Sequence, residues 1–481
     1  MPGLIRMMRT VLCILLLLSG NLLRGQLPEA PRLILFVVVD ELSEDQLLLI
    51  QPKLSNKGII RLSRDGMRFM GAYSSDLSAY PGTRITSLYT GCTPSCHGVV
   101  GERWLDRKTG RFVNANEGPA NYQTAALNSM ARGLGDYLKN FYGPGSLSAV
   151  VGVDQPWMLH ATGYNCDYLL YWDNIFKHIR DYANSANESL WLDQLNDKRK
   201  GLQALSPATA NQLAFDATVA LLESTDFGRD NIPDLLSVGF NTGSLEDEYE
   251  LLTPLKESTI MQIDALMAGL LDVLDKNIGK NNYLVIFTSA RTPAAATGTH
   301  GRKGQNTGTV DLGKTLALLN FYYMARYGQG KWALEINDNN LYLDRQLIES
   351  KGMDVTTMQE EAAVFLMEVT GVDRALPLND LLFKLEEGSL WDKNLFPSRT
   401  GDVLIRLQPG WHGKLSTNGS RTFGNSGNSP LPLIVSGWHS DKGAWIEPFE
   451  HRHLVPLLLK QLGIVHPNIL EAPEAVIFKK K

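Results

Sequence analysis

Cysteine is scarce in this chain, with four residues in 481. Cys13 lies in an apolar N-terminal segment, which leaves Cys92, Cys96 and Cys166. Three thiols cannot all pair within one chain, so at least one stays free or bonds to another molecule. A fold built on a disulfide framework is excluded. There is no long basic run, and a net charge of −5 argues against nucleic acid as the main partner. Beyond the N-terminus no apolar stretch reaches membrane-spanning length. Internal repeats and low-complexity tails are also missing.

What remains is ordinary globular material, 44% hydrophobic and 20% charged. A chain this long buries a large core, either as one α/β domain with insertions or as two domains. Residues 1–25 read as a signal peptide. Arg6 and Arg9 supply positive charge, residues 11–18 are apolar, and small residues at Ser19-Gly20 and Gly25-Gln26 offer cleavage sites, of which Gly25-Gln26 is preferred. Cys13 is too far inside the apolar stretch for lipid anchoring. The mature chain, 26–481, is expected to be exported and to carry no transmembrane span.

Short apolar runs at 33–39, 147–153, 234–240, 283–288, 403–407 and 431–436 read as strands. Between two of them, residues 258–276 repeat apolar side chains at helical spacing, and Gly279 can end that helix. Strand, helix and strand make a βαβ unit, so a mainly parallel sheet with helices on both faces is expected. Two stretches break the rhythm, at about 155–215 and 300–400, and read as insertions. The first is rich in aromatic residues, among them Tyr168, Tyr171, Trp172 and Trp191. Exposed rings of these types anchor protein interfaces; packing onto the core is the plainer alternative.

The first strand ends in Asp40, where open α/β sheets place ligand sites. Further on runs Tyr89-Thr90-Gly91-Cys92-Thr93-Pro94-Ser95-Cys96-His97-Gly98, followed by Gly101 and Trp104. This order resembles the alkaline phosphatase superfamily, in its phosphodiesterase and nucleotide-pyrophosphatase branch, and is most similar to bacterial periplasmic phosphatases. Thr162-Gly163-Tyr164, Tyr171-Trp172-Asp173-Asn174, residues 340–348, Gln408-Pro409-Gly410-Trp411 and residues 432–438 match later segments in the same order.

The resemblance implies two zinc ions that polarise a phosphoryl group and activate a Thr or Ser nucleophile. Most of the residues it implies are replaced here. Asp40 is kept. Pro81 stands at the nucleophile position, nine residues before Thr90; Thr83 could serve after a small shift. Glu102 stands where an Asn would donate to phosphate, and an ionised Glu can only accept. Ser244 and Glu248 replace a ligating Asp and His. Ala290 and Arg291 replace an Asp-His pair, and Pro430 takes the place of the last His. His300, His412 and the Cys92-x-x-x-Cys96-His97 segment lack a second ligand pair at matching spacing. A Lys-x-Arg clamp expected near residues 153–159 is absent.

Carboxylates left without metal repel each other unless neutralised. Arg291 is therefore expected to pair with Asp40 or Glu248. The reading that follows is an exported pseudoenzyme that binds an envelope protein, with no catalytic residue and no cofactor. The alternative is an active phosphate- or sulfate-ester hydrolase with a rearranged site, using Thr83 and one zinc at Asp40 and Glu248.

Overall fold

A computed structural model describes residues 29–184, 189–202, 205–243, 252–292, 308–384, 386–415, 421–424, 430–473 and 477–478. The signal-peptide segment, Ser244, Glu248 and His300 lie outside the described residues.

The strand β1 (Leu33–Asp40) is buried at all eight positions, as a strand covered on both faces must be. Alternate side chains serve opposite layers. Leu33, Leu35, Val37 and Val39 face the helices α1 (Glu44–Ile50), α4 (Pro207–Ser224) and α5 (Pro254–Asn277). Ile34, Phe36 and Val38 face α2 (Pro81–Thr90), α3 (Leu134–Tyr142) and α6 (Leu454–Gln461). Helix α5 begins at the Thr253 cap, whose side chain accepts from the Lys256 amide. It ends where Ile278 and Gly279, the latter at φ +94°, both donate to the Leu274 carbonyl. The expected helix at 258–276 is thus present and slightly longer.

The other strands of this sheet are β2 (Gly66–Phe69), β3 (Ser148–Val153), β4 (Tyr168–Asp173), β5 (His178–Asp181), β6 (Asp234–Asn241), β7 (Tyr283–Ser289), β8 (Leu433–Gly437) and β9 (Gly443–Trp445). Their order is β9-β2-β8-β7-β1-β6-β3-β4-β5. The central strands β7, β1, β6, β3 and β4 are mutually parallel, while β5, β8 and β2 pair antiparallel at the flanks. This is the mainly parallel, two-faced sheet expected.

Two expectations need correction. The run 403–407 is a strand, but it belongs to a separate antiparallel sheet with Ala333–Asn337, Asn340–Leu343 and Val372–Pro377, which carries its own core around Tyr323, Trp332 and Met358. The segment 155–215 is largely not an added lobe, because β4 and β5 extend the main sheet and α4 packs on its face. Its aromatic residues are accordingly not an exposed platform. Tyr171 and Trp172 are buried on opposite faces of β4, and Tyr168 and Trp191 pack partly buried against the core.

Candidate functional site

Three parallel strands end side by side at the carboxyl edge of the sheet, with Asp40 beside Asn241 and Val39 beside Ser289. The loops beyond are pinned to one another. Ala290 donates its amide to the Val39 carbonyl at 3.1 Å, and the Thr242 hydroxyl donates to the carbonyls of Asp40 and Glu41. Backbone strain collects here as well. Glu41 follows Asp40 at φ +55° and Val153, at the end of β3, sits at φ +35°. Residues without glycine's freedom hold such angles only where their surroundings impose them.

The left-handed turn aims Glu41 at the same space as Asp40, and Arg291 fills it. Its Nε donates to Asp40 Oδ1 at 3.0 Å and its Nη2 to Oδ2 at 3.2 Å, a two-pronged pair. The same Nη2 lies 2.8 Å from Glu41 Oε1. Burial disfavours the Arg291 cation, but the charges of Asp40 and Glu41 outweigh that and raise its pKa. Lys256, buried in the first turn of α5, places Nζ 3.9 Å from Glu41 Oε2. Burial lowers its pKa against the opposing pull of Glu41 and Asp40. Asp154, beside β3, is raised by burial and by Asp40, and accepts from the Gln155 side-chain Nε2 at 2.8 Å.

Arg84, in the first turn of α2, is buried, and its Nε and Nη1 have no hydrogen-bond partner among the described residues. Burial lowers its pKa to about 10; Asp76 opposes that and Arg291 adds to it. Lys256, Glu41 and Arg84 were not read as site residues from the sequence. Only the adjacency of Glu41 to Asp40 hinted at any of them.

The other candidates lie as follows. Asp40 does not cap α1: Ser43 does that, in a reciprocal pair with Gln46, and Asp40 Oδ1 accepts instead from the Glu41 amide. Pro81 is the first residue of α2, a position where its missing N–H costs nothing. Thr83 is fully buried and donates to Ser78 at 3.2 Å, and Ser78 in turn donates to Asp338. Burial raises Asp338 to about 6 against these hydrogen bonds, with Glu102 nearby adding to the rise. Arg103, next to Glu102 in sequence, pairs with Glu335, Nε to Oε1 at 3.5 Å. Ala290 is buried, and Pro430 offers its carbonyl to the Glu44 amide. His412, which the surrounding Gly410 and Gly413 suggest is in a loop, is in the strand Trp411–Leu415, with Nε2 2.8 Å from the Thr309 hydroxyl.

The described residues of this site do not fit zinc. Asp40, the carboxylate among the described residues that stands at an expected ligand position, has both oxygens engaged by a guanidinium, and a cation fixed there opposes a metal directly. Among the described residues, no three His, Cys, Asp or Glu side chains are grouped to hold a metal ion.

Residues 82–427 match the family "Type I phosphodiesterase / nucleotide pyrophosphatase". The chain belongs to that family. It is 21% identical over 521 residues to alkaline phosphatase PafA of Elizabethkingia meningoseptica, covering 91% of this chain and 92% of that protein. Alkaline phosphatase PhoV of Synechococcus elongatus is 19% identical over 514 residues, 91% of this chain and 91% of its own. A crystal structure of PafA superposes with a TM-score of 0.79 at 17% identity, over 94% of this chain and 99% of that one. Murine ectonucleotide pyrophosphatase / phosphodiesterase 5 superposes at 0.56 with 13% identity, over 91% and 96%. At such identities the structural likeness speaks for the fold. Among the described residues no helix is long and apolar enough to cross a membrane.

Proposed function

We propose that this member of the phosphodiesterase family has exchanged its metal centre for a salt bridge and works without phosphoryl transfer, as an exported binding component of the bacterial envelope. The observation that carries this reading is Arg291 on Asp40. An arginine cannot be deprotonated in a protein and so cannot yield its place as a water molecule would. The burial of Thr83 supports the same reading, because a nucleophile must reach its substrate. So does Pro81, which has no hydroxyl. The partner is proposed to be an envelope protein.

The names of the bacterial relatives favour the second reading, an active metal-dependent ester hydrolase. A turnover assay separates the two. The mature protein, incubated with excess Zn²⁺ and an aryl phosphate monoester or diester, should release no product above the level of its own Asp40→Ala variant. Pro81→Thr alone should leave it inactive, since the hydroxyl returns without a metal to activate it. Turnover that Asp40→Ala abolishes would establish the hydrolase instead.

A further inference from the structure

Beyond the carboxyl end of α2 the chain turns at Gly91, held at φ +64°, and enters the short helix Pro94–His97. That turn carries Cys92 and Cys96 with their sulfurs 2.8 Å apart. Such a spacing is too small for two ligands of one zinc, which at ~2.3 Å from a tetrahedral ion stand about 3.8 Å apart. The third potential ligand of the motif is also unavailable. His97 is fully buried, its Nδ1 accepts from the Val99 amide at 3.1 Å, and its Nε2 lies 2.9 Å from the Ser87 hydroxyl. Closing the pair to the ~2.05 Å of a disulfide takes a movement of less than an ångström.

We infer that Cys92 and Cys96 are an oxidisable pair that closes into an intramolecular disulfide, leaving Cys166 as the free thiol. Cys96 is exposed and Cys92 buried, which fixes the order of events. The hydrogen bond shared with Cys92 lowers the pKa of Cys96, so Cys96 is the thiolate that attacks. It attacks one sulfur of an incoming disulfide and releases the other as a thiolate. Cys92 then loses its proton and displaces the second donor thiol, forming the Cys92–Cys96 bond. Two protons and two electrons leave the chain, and the donor disulfide becomes two thiols. Cys166 is buried with its thiol directed at the Tyr168 carbonyl at 3.0 Å, and among the described residues no disulfide joins it to another cysteine.

The bond would fasten the end of the helix whose first turn bears Pro81, Thr83 and Arg84. The C-terminal segment is already docked at that point. Asn468 Nδ2 donates to the Gly91 carbonyl at 3.0 Å and to Cys92 Sγ at 3.3 Å, and His466 Nε2 lies 2.9 Å from the Thr90 carbonyl. The inference does not depend on whether the protein is a hydrolase.

Native protein treated with oxidised glutathione, then unfolded, alkylated and mapped by peptide mass, tests it. Cys92 and Cys96 should be recovered as one linkage lighter by two hydrogens, with only Cys166 of the three alkylated. In Cys92→Ser the remaining Cys96 should instead retain glutathione. Alkylation of all three thiols in the treated wild type, or a stable glutathione adduct on Cys96 beside a reduced Cys92, would overturn the inference.

Discussion

Arg291 and Asp40 meet through two hydrogen bonds of 3.0 and 3.2 Å at the end of adjacent strands. Asp40 is buried, while about a third of the Arg291 side chain, 31%, remains in contact with solvent. Removing Arg291 leaves Asp40 without its cation beside Glu41, whereas removing Asp40 leaves Arg291 paired with Glu41. Breaking a fully buried pair costs about 3–5 kcal/mol, and the partial exposure of Arg291 brings the expectation for Arg291→Ala down to about 2–3 kcal/mol. Adding Asp40→Asn should recover part of that loss. Urea unfolding of both single variants and the double variant measures the coupling; additive effects would mean that the pair contributes nothing as a pair.

Trp172 should behave as a core residue rather than as part of a binding surface. It is 6% exposed and packs with Ile179 and Leu192. Trp172→Ala should cost about 3–5 kcal/mol. Trp172→Phe should cost much less, because it also removes an indole N–H that is buried without a partner among the described residues. Thermal unfolding of the two variants reads this directly. A Trp172→Ala protein as stable as wild type would return the ring to the surface.

His160 makes stability depend on pH. Burial lowers its pKa to about 4, well below its ordinary value of 6.5. In the unfolded chain it takes up a proton as the pH falls through 6.5, while the folded protein stays neutral there. Its contribution is therefore intact above pH 6.5 and is lost progressively down to about pH 4. Asp76 and Asp338, both raised to about 6 by burial, act in the opposite sense as pH falls through the same window. The comparison with His160→Phe cancels them. Between pH 6.5 and 4.5 the wild type should lose about 2–3 kcal/mol more than the variant. Parallel stability curves would mean that His160 is protonated in the folded state.

Much of the fold could be read from residue order, because strands buried on both faces write themselves as unbroken apolar runs, as residues 33–39 do. The pairing of Arg291 with Asp40 was legible, as one of two alternatives with Glu248, because both stand where the family resemblance implies metal ligands, and a cation at one such position meets a carboxylate left at another. The roles of Glu41 and Lys256 were not. Glu41 reaches Arg291 only because its backbone turns left-handed, and nothing in its side chain announces that. Lys256 sits in the first turn of a helix, where a cation opposes the helix dipole, so no pattern predicts its burial there. The run 403–407 gave its conformation but not its sheet, since a short apolar segment carries no partner information. Whether Tyr171 and Trp172 pack inward or face outward could not be read from the sequence, because aromatic residues in a strand enclosed on both faces look the same as residues of a sticky loop.

Zinc content tests the central claim most directly. With Asp40 engaged by Arg291, the purified mature protein should carry less than about one tightly bound zinc per chain when measured by elemental analysis. Addition of excess Zn²⁺ followed by desalting should not change that figure, and a chelator should alter neither structure nor stability. Two equivalents of zinc, removed by chelator with loss of structure or of ester hydrolysis, would contradict the account.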